Sequence, residues 1–192
     1  MTDIKFTQLE SNRLLLRRFT DSDIEPFLAY RSDPDVGRYQ DWEPESYTLN
    51  DARRFVRALK TSHPDVPGHW FQFAIEVKAT NEMVGDCGLH ILRGDPRQAM
   101  IGFTLDSSQQ GKGYATESVL RLLDYVFNSL NKHRVIATTD CENTKSIALL
   151  ERIGMRREGH FLQNKWFKGA WGDEYQYAML KSEWLAMTHE QL

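Results

Sequence analysis

A chain of 192 residues that is 41% hydrophobic, 27% charged and 11% aromatic carries enough apolar material for a packed core, which excludes collagen-like, low-complexity and disordered architectures. Lys and Arg number 24 against 27 Asp and Glu, a formal charge of -3 with no run of like charge, so no broad nucleic-acid-binding face is expected. No apolar run is long enough for a bilayer and Met1-Thr2-Asp3-Ile4-Lys5 lacks the apolar core of a secretory signal, so a cytoplasmic protein without membrane contact is expected. Cys87 and Cys141, with no CxxC pair or histidine cluster, read as packing residues; neither a disulfide framework nor a metal site is expected.

With no internal repeat and no Gly/Ser/Pro linker, the chain reads as a single domain over 1–192, its core about 10–185. Arg13-Leu14-Leu15-Leu16-Arg17-Arg18-Phe19 reads as a strand, and Thr20 or Asp21 caps a helix with Ile24, Phe27 and Leu28 at helical spacing. An irregular stretch from Asp33 to Thr48 precedes a second helix from Leu49, its inner face Ala52, Phe55, Val56 and Leu59. From Trp70 the period becomes two: Phe71, Phe73, Ile75 and Val77 share a face, and strands from Met83 to Leu92 and Met100 to Leu105 complete a meander. Then follow a helix from about Gly113 to Leu130, a strand Val135 to Thr139, a helix Thr144 to Ile153 stopped by Gly154, and strands Phe161 to Phe167 and Tyr175 to Leu180. This order implies an α/β (α+β) fold: a mixed, mostly antiparallel sheet of six to seven strands with helices on both faces.

The most informative stretch runs from Ile101 through Leu105, Gln110, Gly111, Lys112, Gly113, Tyr114, Ala115 and Thr116 to Glu117: an apolar strand, a polar turn and a glycine-bearing helix start. Glycines there permit close backbone approach, and the free N–H groups of a first helical turn attract an anion such as a pyrophosphate. The other reading is an ordinary turn into a helix cap. A P-loop fails by count, since Asp106 and Gly113 stand where glycine and Ser/Thr are required; a dinucleotide fingerprint fails at Thr116.

Gln110-x-x-Gly113-x-Ala115 resembles the Gln/Arg-x-x-Gly-x-Gly/Ala signature of the GNAT superfamily of acyl-CoA-dependent N-acetyltransferases. Asn143-x-x-Ser146 and Leu149-Leu150-Glu151-Arg152-Ile153-Gly154-Met155 resemble that superfamily's following segment. Arg13-Leu14-x-Leu16-Arg17 and Asp33-Pro34-x-Val36 resemble its RimJ/RimL-like branch of ribosomal-protein alanine acetyltransferases. The resemblance covers roughly 10 to 185 and implies a GNAT fold, acetyl-CoA as co-substrate, an amine acceptor and direct attack in a ternary complex. It also implies that backbone N–H groups from Gly111 to Thr116 hold the pyrophosphate, that Phe103, Thr104 and Leu105 pair with the pantetheine like an extra strand, and that Asn143 contacts the cofactor arm. Lys112 and Arg152 are read either as phosphate partners or as plain surface cations.

The superfamily's tyrosine acid is absent, Leu150 standing in its place; the resemblance implies Ser146 as the substitute, with a helix-cap role as the alternative. The branch's glutamate at the start of the fourth strand is replaced by Met100. Asp86, Gly88 and His90 alternate onto one strand face, so Asp86 or His90 is read as a water-relayed base or as hydrogen-bonded structure. Deprotonating an α-amine at pH 7 costs about 1 kcal/mol against nearly 5 for a lysine-like amine, so a missing base favours an α-amine, although Glu43, Glu45 or Glu142 near the acceptor would supply one. Tyr39, Trp42, Glu43 and Tyr47, with Trp166, Trp171 and Tyr175, suit an acceptor pocket for a cation or peptide terminus; equally they fill a second small core or a dimer contact. The reading is an N-acetyltransferase acting on a protein or peptide N-terminus. A small-amine acetyltransferase and a non-catalytic acyl-CoA-binding module are the rivals, and the exposed final strand suggests a homodimer.

Overall fold

The computed structural model describes residues 6–189; the leader reading at Met1 to Lys5 lies outside them. Fourteen elements follow in order: β1 (Gln8–Glu10), β2 (Leu14–Arg17), α1 (Ile24–Arg31), α2 (Pro34–Gly37), α3 (Leu49–Leu59), β3 (Trp70–Val77), β4 (Glu82–Ile91), β5 (Gln98–Leu105), α4 (Tyr114–Asp124), β6 (Arg134–Asp140), α5 (Thr144–Arg152), β7 (Arg156–Phe167), β8 (Ala170–Leu180) and α6 (Lys181–His189). The strands form one mixed eight-stranded sheet in the order β1-β2-β3-β4-β5-β6-β8-β7, antiparallel at every pairing except β5 with β6.

Local chemistry accounts for the helix ends. Thr48 opens α3 by a reciprocal pair, its N–H donating to Asp51 Oδ2 (3.0 Å) and its Oγ1 accepting from the Asp51 N–H (3.3 Å). Gly154 closes α5 at φ +84°, with its N–H reaching the Glu151 carbonyl and that of Met155 the Leu150 carbonyl (both 3.0 Å). The helix expected to run to Leu130 does so in two parts, since after Asp124 a single π turn (Tyr125–Ser129) widens it.

Two cores sandwich the sheet. Alternate residues Phe71, Phe73 and Ile75 of β3 and Cys87, Leu89 and Ile91 of β4 meet Val119, Leu122 and Leu123 of α4 and Phe127 of the π turn. A smaller cluster joins Phe27 and Tyr30 of α1, Ala52 and Val56 of α3, Phe19 and Ala74; Trp42 and Tyr47 pack partly against it. Burial of Cys87 pushes its thiol up to about 12, as suits an inert packing group, whereas Cys141 is only partly buried.

Sequence and structure differ in five elements, β1, α2, β7, β8 and α6. Strand β1 has three residues, too few for a period, and α2 is a single turn inside the Asp33 to Thr48 stretch, begun by Asp33 Oδ1 accepting from the Asp35 N–H (2.9 Å). The closing strands extend beyond Phe161–Phe167 and Tyr175–Leu180 because β7 is an edge strand, largely exposed on both faces, so its N-terminal half carries no alternation. Helix α6 has almost no amphipathic bias and is anchored by Trp184, which stacks on Phe127 at 6.0 Å.

A largely buried ion triad ties β2 to β3 and to the turn before α1. Arg17 donates from Nη1 and Nη2 to Asp23 (2.7 and 2.8 Å) and from Nε to Glu76 (2.6 Å). Burial alone would raise the Asp23 carboxyl, but Arg17 and the Thr20 backbone N–H bring it below the ordinary value. Its contribution is therefore complete above pH 4 and lost as pH falls through the depressed value. Asp23→Asn is expected to cost about 3 kcal/mol, or about 6–12 °C of Tm in a melt at pH 7, and to flatten the acid side of the melting profile.

Candidate active site

The parallel ladder between β5 and β6 is short: Gln98, Ala99 and Met100 pair with Arg134, Val135 and Ile136, and pairing stops there. Beyond Met100 strand β5 stays bonded to β4 through Leu105, while its other edge separates from β6. Backbone groups from Ile101 to Leu105 on that edge face a cleft, and free strand edges bind extended chains.

At the C-terminal end of β5 the chain turns into α4. Asp106 Oδ1 accepts from the Ser108 N–H (2.8 Å), Gln110 is extended, and Gly111 and Gly113 hold φ +78° and +80°. A Cβ built on Gly111 would meet nothing within 4 Å, and one on Gly113 would lie 3.2 Å from Arg13 Nη2. The loop is therefore open on the Gly111 side, and the unpaired N–H groups of Tyr114, Ala115 and Thr116 begin a helix of 11 residues. Such a cradle fits a pyrophosphate.

Arg13, quoted above only as part of a motif, pins this loop. Its Nη1 donates to the Lys112 carbonyl (3.0 Å), its N–H and Nε bind Glu117 (2.6 and 2.7 Å), and its guanidinium lies 4.9 Å over the Tyr114 ring. Burial would raise the Glu117 carboxyl; the Arg13 N–H, the Ser11 hydroxyl and the Arg13 guanidinium lower it instead. Of the two candidate phosphate cations, Lys112 bonds Gln109 (2.8 Å) and Arg152 lies 3.4 Å from Thr116 Oγ1, beside the loop. Gln110 accepts from Lys145 (2.8 Å).

The cleft widens into a cavity of about 540 Å³. Asp86, Gly88 and Met100 to Thr104 floor it, Ala137 to Asp140 with Asn143, Ser146 and Leu150 wall it, and Arg31, Tyr39 and Trp42 cover it. From the closing hairpin Lys165, Phe167 and Glu174 complete the rim. Ser146 and Asn143 thus meet Asp86, Phe103 and Thr104 in one cavity, whereas Leu105 is buried beside it. The helix cap is made by Asn143, whose Oδ1 accepts from the Ser146 backbone N–H (3.1 Å), so the Ser146 hydroxyl is not spent on capping.

Asp86 is 2% exposed, sits opposite Thr104 in the β4–β5 register, and accepts from Tyr30 Oη at 2.6 Å and Arg31 Nη2 at 3.4 Å. Burial pushes its carboxyl up, against the lowering pull of Arg31 and Tyr30.

Seven of the residues expected at the site stand outside its lining. His90 shares the face of Asp86 but stacks on Trp70 (5.2 Å) at the outer end of the strand, and only Trp70 of that pair lines the cavity. Tyr175 lies on the opposite sheet face with Tyr177 and Met179, against His160 (4.8 Å) and Arg157, because β8 presents Glu174 to the cavity and strand residues alternate. Glu43 is exposed and pairs with Lys168 (3.8 Å); Glu45 and Glu142 are also exposed and outside the lining. Trp166 and Trp171 pack edge to face (5.4 Å) on the outer hairpin, 61% and 57% exposed.

Arg31, Lys165 and Glu174 were missed by the sequence reading. Phe27, Tyr30 and Arg31 stand at i, i+3 and i+4 of α1, so a basic residue on the apolar face was the available signal for Arg31. Lys165 and Glu174 gave none, since their place depends on how β7 slips against β8 between Phe161 and Lys165. Among the described residues no group of three or more His, Cys, Asp or Glu could hold a metal, and no helix is long and apolar enough to cross a membrane.

Comparison with known proteins agrees with this geometry. The family model for the acetyltransferase (GNAT) domain matches residues 13–156. The uncharacterized N-acetyltransferase p20 of Bacillus licheniformis is 34% identical over 176 residues, 92% of this chain and 97% of that protein. The spermidine N(1)-acetyltransferase of Vibrio cholerae is 30% identical over 114 residues, 59% of this chain and 65% of that protein. The crystal structure of a GNAT-family acetyltransferase from Bacillus anthracis superposes with a TM-score of 0.82 at 35% identity, covering 92% of this chain and all of that one. A split β5/β6 ladder, a glycine loop opening α4 and a family match over most of the sheet have one reading: the chain belongs to the GNAT acetyltransferase family and is an acyltransferase.

Proposed function

We propose that this enzyme transfers an acetyl group from acetyl-CoA to a primary amine, in the first instance the α-amine of a protein or peptide N-terminus, as in the RimJ/RimL-like branch that Arg13-Leu14-x-Leu16-Arg17 resembles. The pyrophosphate lies against the N–H groups from Gly111 to Thr116, with Lys112 and Arg152 as flanking cations, and the pantetheine pairs with the free edge of Phe103, Thr104 and Leu105. Asn143 contacts the arm. The neutral amine attacks the thioester carbonyl carbon, a C–N bond forms, and a backbone N–H near Leu105 stabilises the oxyanion. As the C–S bond breaks, the thiolate takes a proton from the Ser146 hydroxyl, which regains one from solvent, while the proton of the attacking amine leaves to water beside Asp86.

The observation that carries the α-amine reading is the engagement of every carboxylate in the lining. Asp86 is held by Tyr30 and Arg31, Asp41 by Lys165 (2.5 Å), Glu174 by Asn164 (2.7 Å), and Asp140 by the Glu142 N–H (2.7 Å). Each carboxylate of the lining already has a partner to hold, and an amine of pKa about 7.7–8.0 needs far less help in losing its proton than one near 10.4. Tyr39 and Trp42 supply aromatic walls for the cationic form before proton loss. A second reading, a polyamine acceptor, is favoured by the excess of acidic over basic residues in the lining and by the spermidine-acetylating relative.

Initial rates with acetyl-CoA on an alanine-ended peptide, its lysines blocked, and on spermidine separate the two. The peptide is expected to be at least about tenfold better in kcat/KM at pH 7, with a rate that rises with pH and levels near the α-amine pKa of about 8. Faster turnover of spermidine would replace the α-amine reading by the polyamine one.

A further inference from the structure

The guanidinium of Arg31 is buried in the cavity lining without a full set of partners. Its side chain is 9% exposed, and its bonds to the Asp86 carboxylate are two long ones from Nη2, at 3.4 and 3.5 Å. The Arg17–Asp23 pair, equally within reach of a close fork, sits at 2.7 and 2.8 Å. Arg31 Nε is buried and has no hydrogen-bond partner among the described residues. Buried donors left unpaired cost free energy, and a guanidinium that lines the cavity with its donors incompletely used is one that a bound acceptor atom would complete.

The surroundings define what that ligand is. The guanidinium lies 3.6 Å over the Trp42 ring and 4.7 Å over that of Phe27, so aromatic rings pack on its flat surface and an acceptor atom meets it at the in-plane N–H edge. The Arg31 carbonyl accepts from Trp42 Nε1 (2.9 Å), which fixes the Trp42 loop to the end of α1 and holds the stack in place. Asp86 lies between Arg31 and Thr104, its partner on the free part of β5. An oxygen at Arg31 is therefore one side chain away from the strand segment where the acyl group is delivered. The lining as a whole holds four carboxylates against Arg31 and Lys165, which disfavours a phosphate or a plain anion and suits a molecule that is cationic at one end and carries an oxygen close by.

We propose that Arg31 binds the carbonyl or carboxylate oxygen next to the reacting amine, so that the acceptor is a 2-aminoacyl compound, with the amine and the carbonyl carried on the same carbon, whether a free amino acid or a peptide terminus. This rests on the acceptor reading given above and narrows it. Arg31 is then an acceptor-binding residue that discriminates against amines lacking the neighbouring carbonyl.

Steady-state kinetics of wild type, Arg31→Gln and Arg31→Lys on alanine, alaninamide and spermidine test it. The ratio of wild type to variant is taken for each acceptor separately, so differences in amine pKa cancel. Loss of one or two charge-assisted hydrogen bonds predicts that Arg31→Gln lowers kcat/KM for alaninamide about 30-fold more than for spermidine, chiefly through a raised alaninamide KM, with the KM for acetyl-CoA within about twofold; the part of the loss common to both acceptors reports the contact with Asp86. Arg31→Lys keeps the charge beside Asp86 and gives an intermediate KM; it also serves if Arg31→Gln melts too low to assay. Preference for alanine over alaninamide identifies a free amino acid, and the reverse a peptide terminus. An unchanged alaninamide KM in both variants, or an equal loss on spermidine, overturns the inference while leaving the acetyltransferase reading standing. No wild-type turnover on alanine, alaninamide or the alanine-ended peptide overturns both the acceptor reading and this inference.

Discussion

Ser146→Ala is expected to lower kcat by about a hundredfold or more while leaving the dissociation constant for acetyl-CoA within about twofold. The expectation rests on a division of labour within one residue. The backbone N–H of Ser146 completes the α5 cap by donating to Asn143 Oδ1, and alanine keeps that N–H, so the helix start survives the substitution. The hydroxyl lines the cavity beside Leu150, where the superfamily's tyrosine is missing, and is the one remaining proton donor proposed for the departing thiolate. Single-turnover and steady-state rates on the same peptide, with isothermal titration of acetyl-CoA, read the two effects apart. Unchanged kcat would return Ser146 to a plain helix residue and move the acid to water.

Gly111→Ala is the second large effect. At φ +78° an alanine costs about 1–2 kcal/mol of backbone strain, or about 2–8 °C of Tm, and its Cβ meets nothing within 4 Å, so the fold accommodates it. The open space that makes it tolerable is the space assigned to the pyrophosphate. Affinity for acetyl-CoA is therefore expected to fall about tenfold to a hundredfold, far more than the strain alone would carry to a rigid helix start. A melt without ligand and a titration with it separate the two. Equal affinity in the variant would mean that the phosphates lie elsewhere.

Legibility followed periodicity and stopped where tertiary register decides. Strands β3, β4 and β5 were readable because each alternates between Phe, Ile and Leu facing the α4 core and small or polar residues opposite, and α5 because Asn143 and Gly154 mark its ends. The glycine loop was readable because its chemistry is local, a turn and a helix start within ten residues. Its anchor was not, since Arg13 reaches Lys112 and Glu117 across about a hundred residues of chain. His90 and Tyr175 show the same limit from the other side. Alternation placed His90 on the correct face, yet how far along the strand the cavity extends is set by helices packed over it, and the face of Tyr175 depends on which way β8 pairs with β6. The aromatic stretch from Tyr39 to Tyr47 was open between pocket and second core, and Trp42 occupies both, packing on the smaller core while lining the cavity.

The central claim is that the free edge of β5 and the loop from Gly111 to Thr116 together hold acetyl-CoA. A thermal melt of the wild type with and without acetyl-CoA, run beside Gly111→Ala, tests it most directly. Saturation at about a hundred times the dissociation constant adds roughly 2.7 kcal/mol, so the wild-type midpoint is predicted to rise by about 5–10 °C and the variant's by clearly less at the same concentration. No rise for the wild type at millimolar acetyl-CoA would contradict the account and leave the glycine loop as a simple entry into α4.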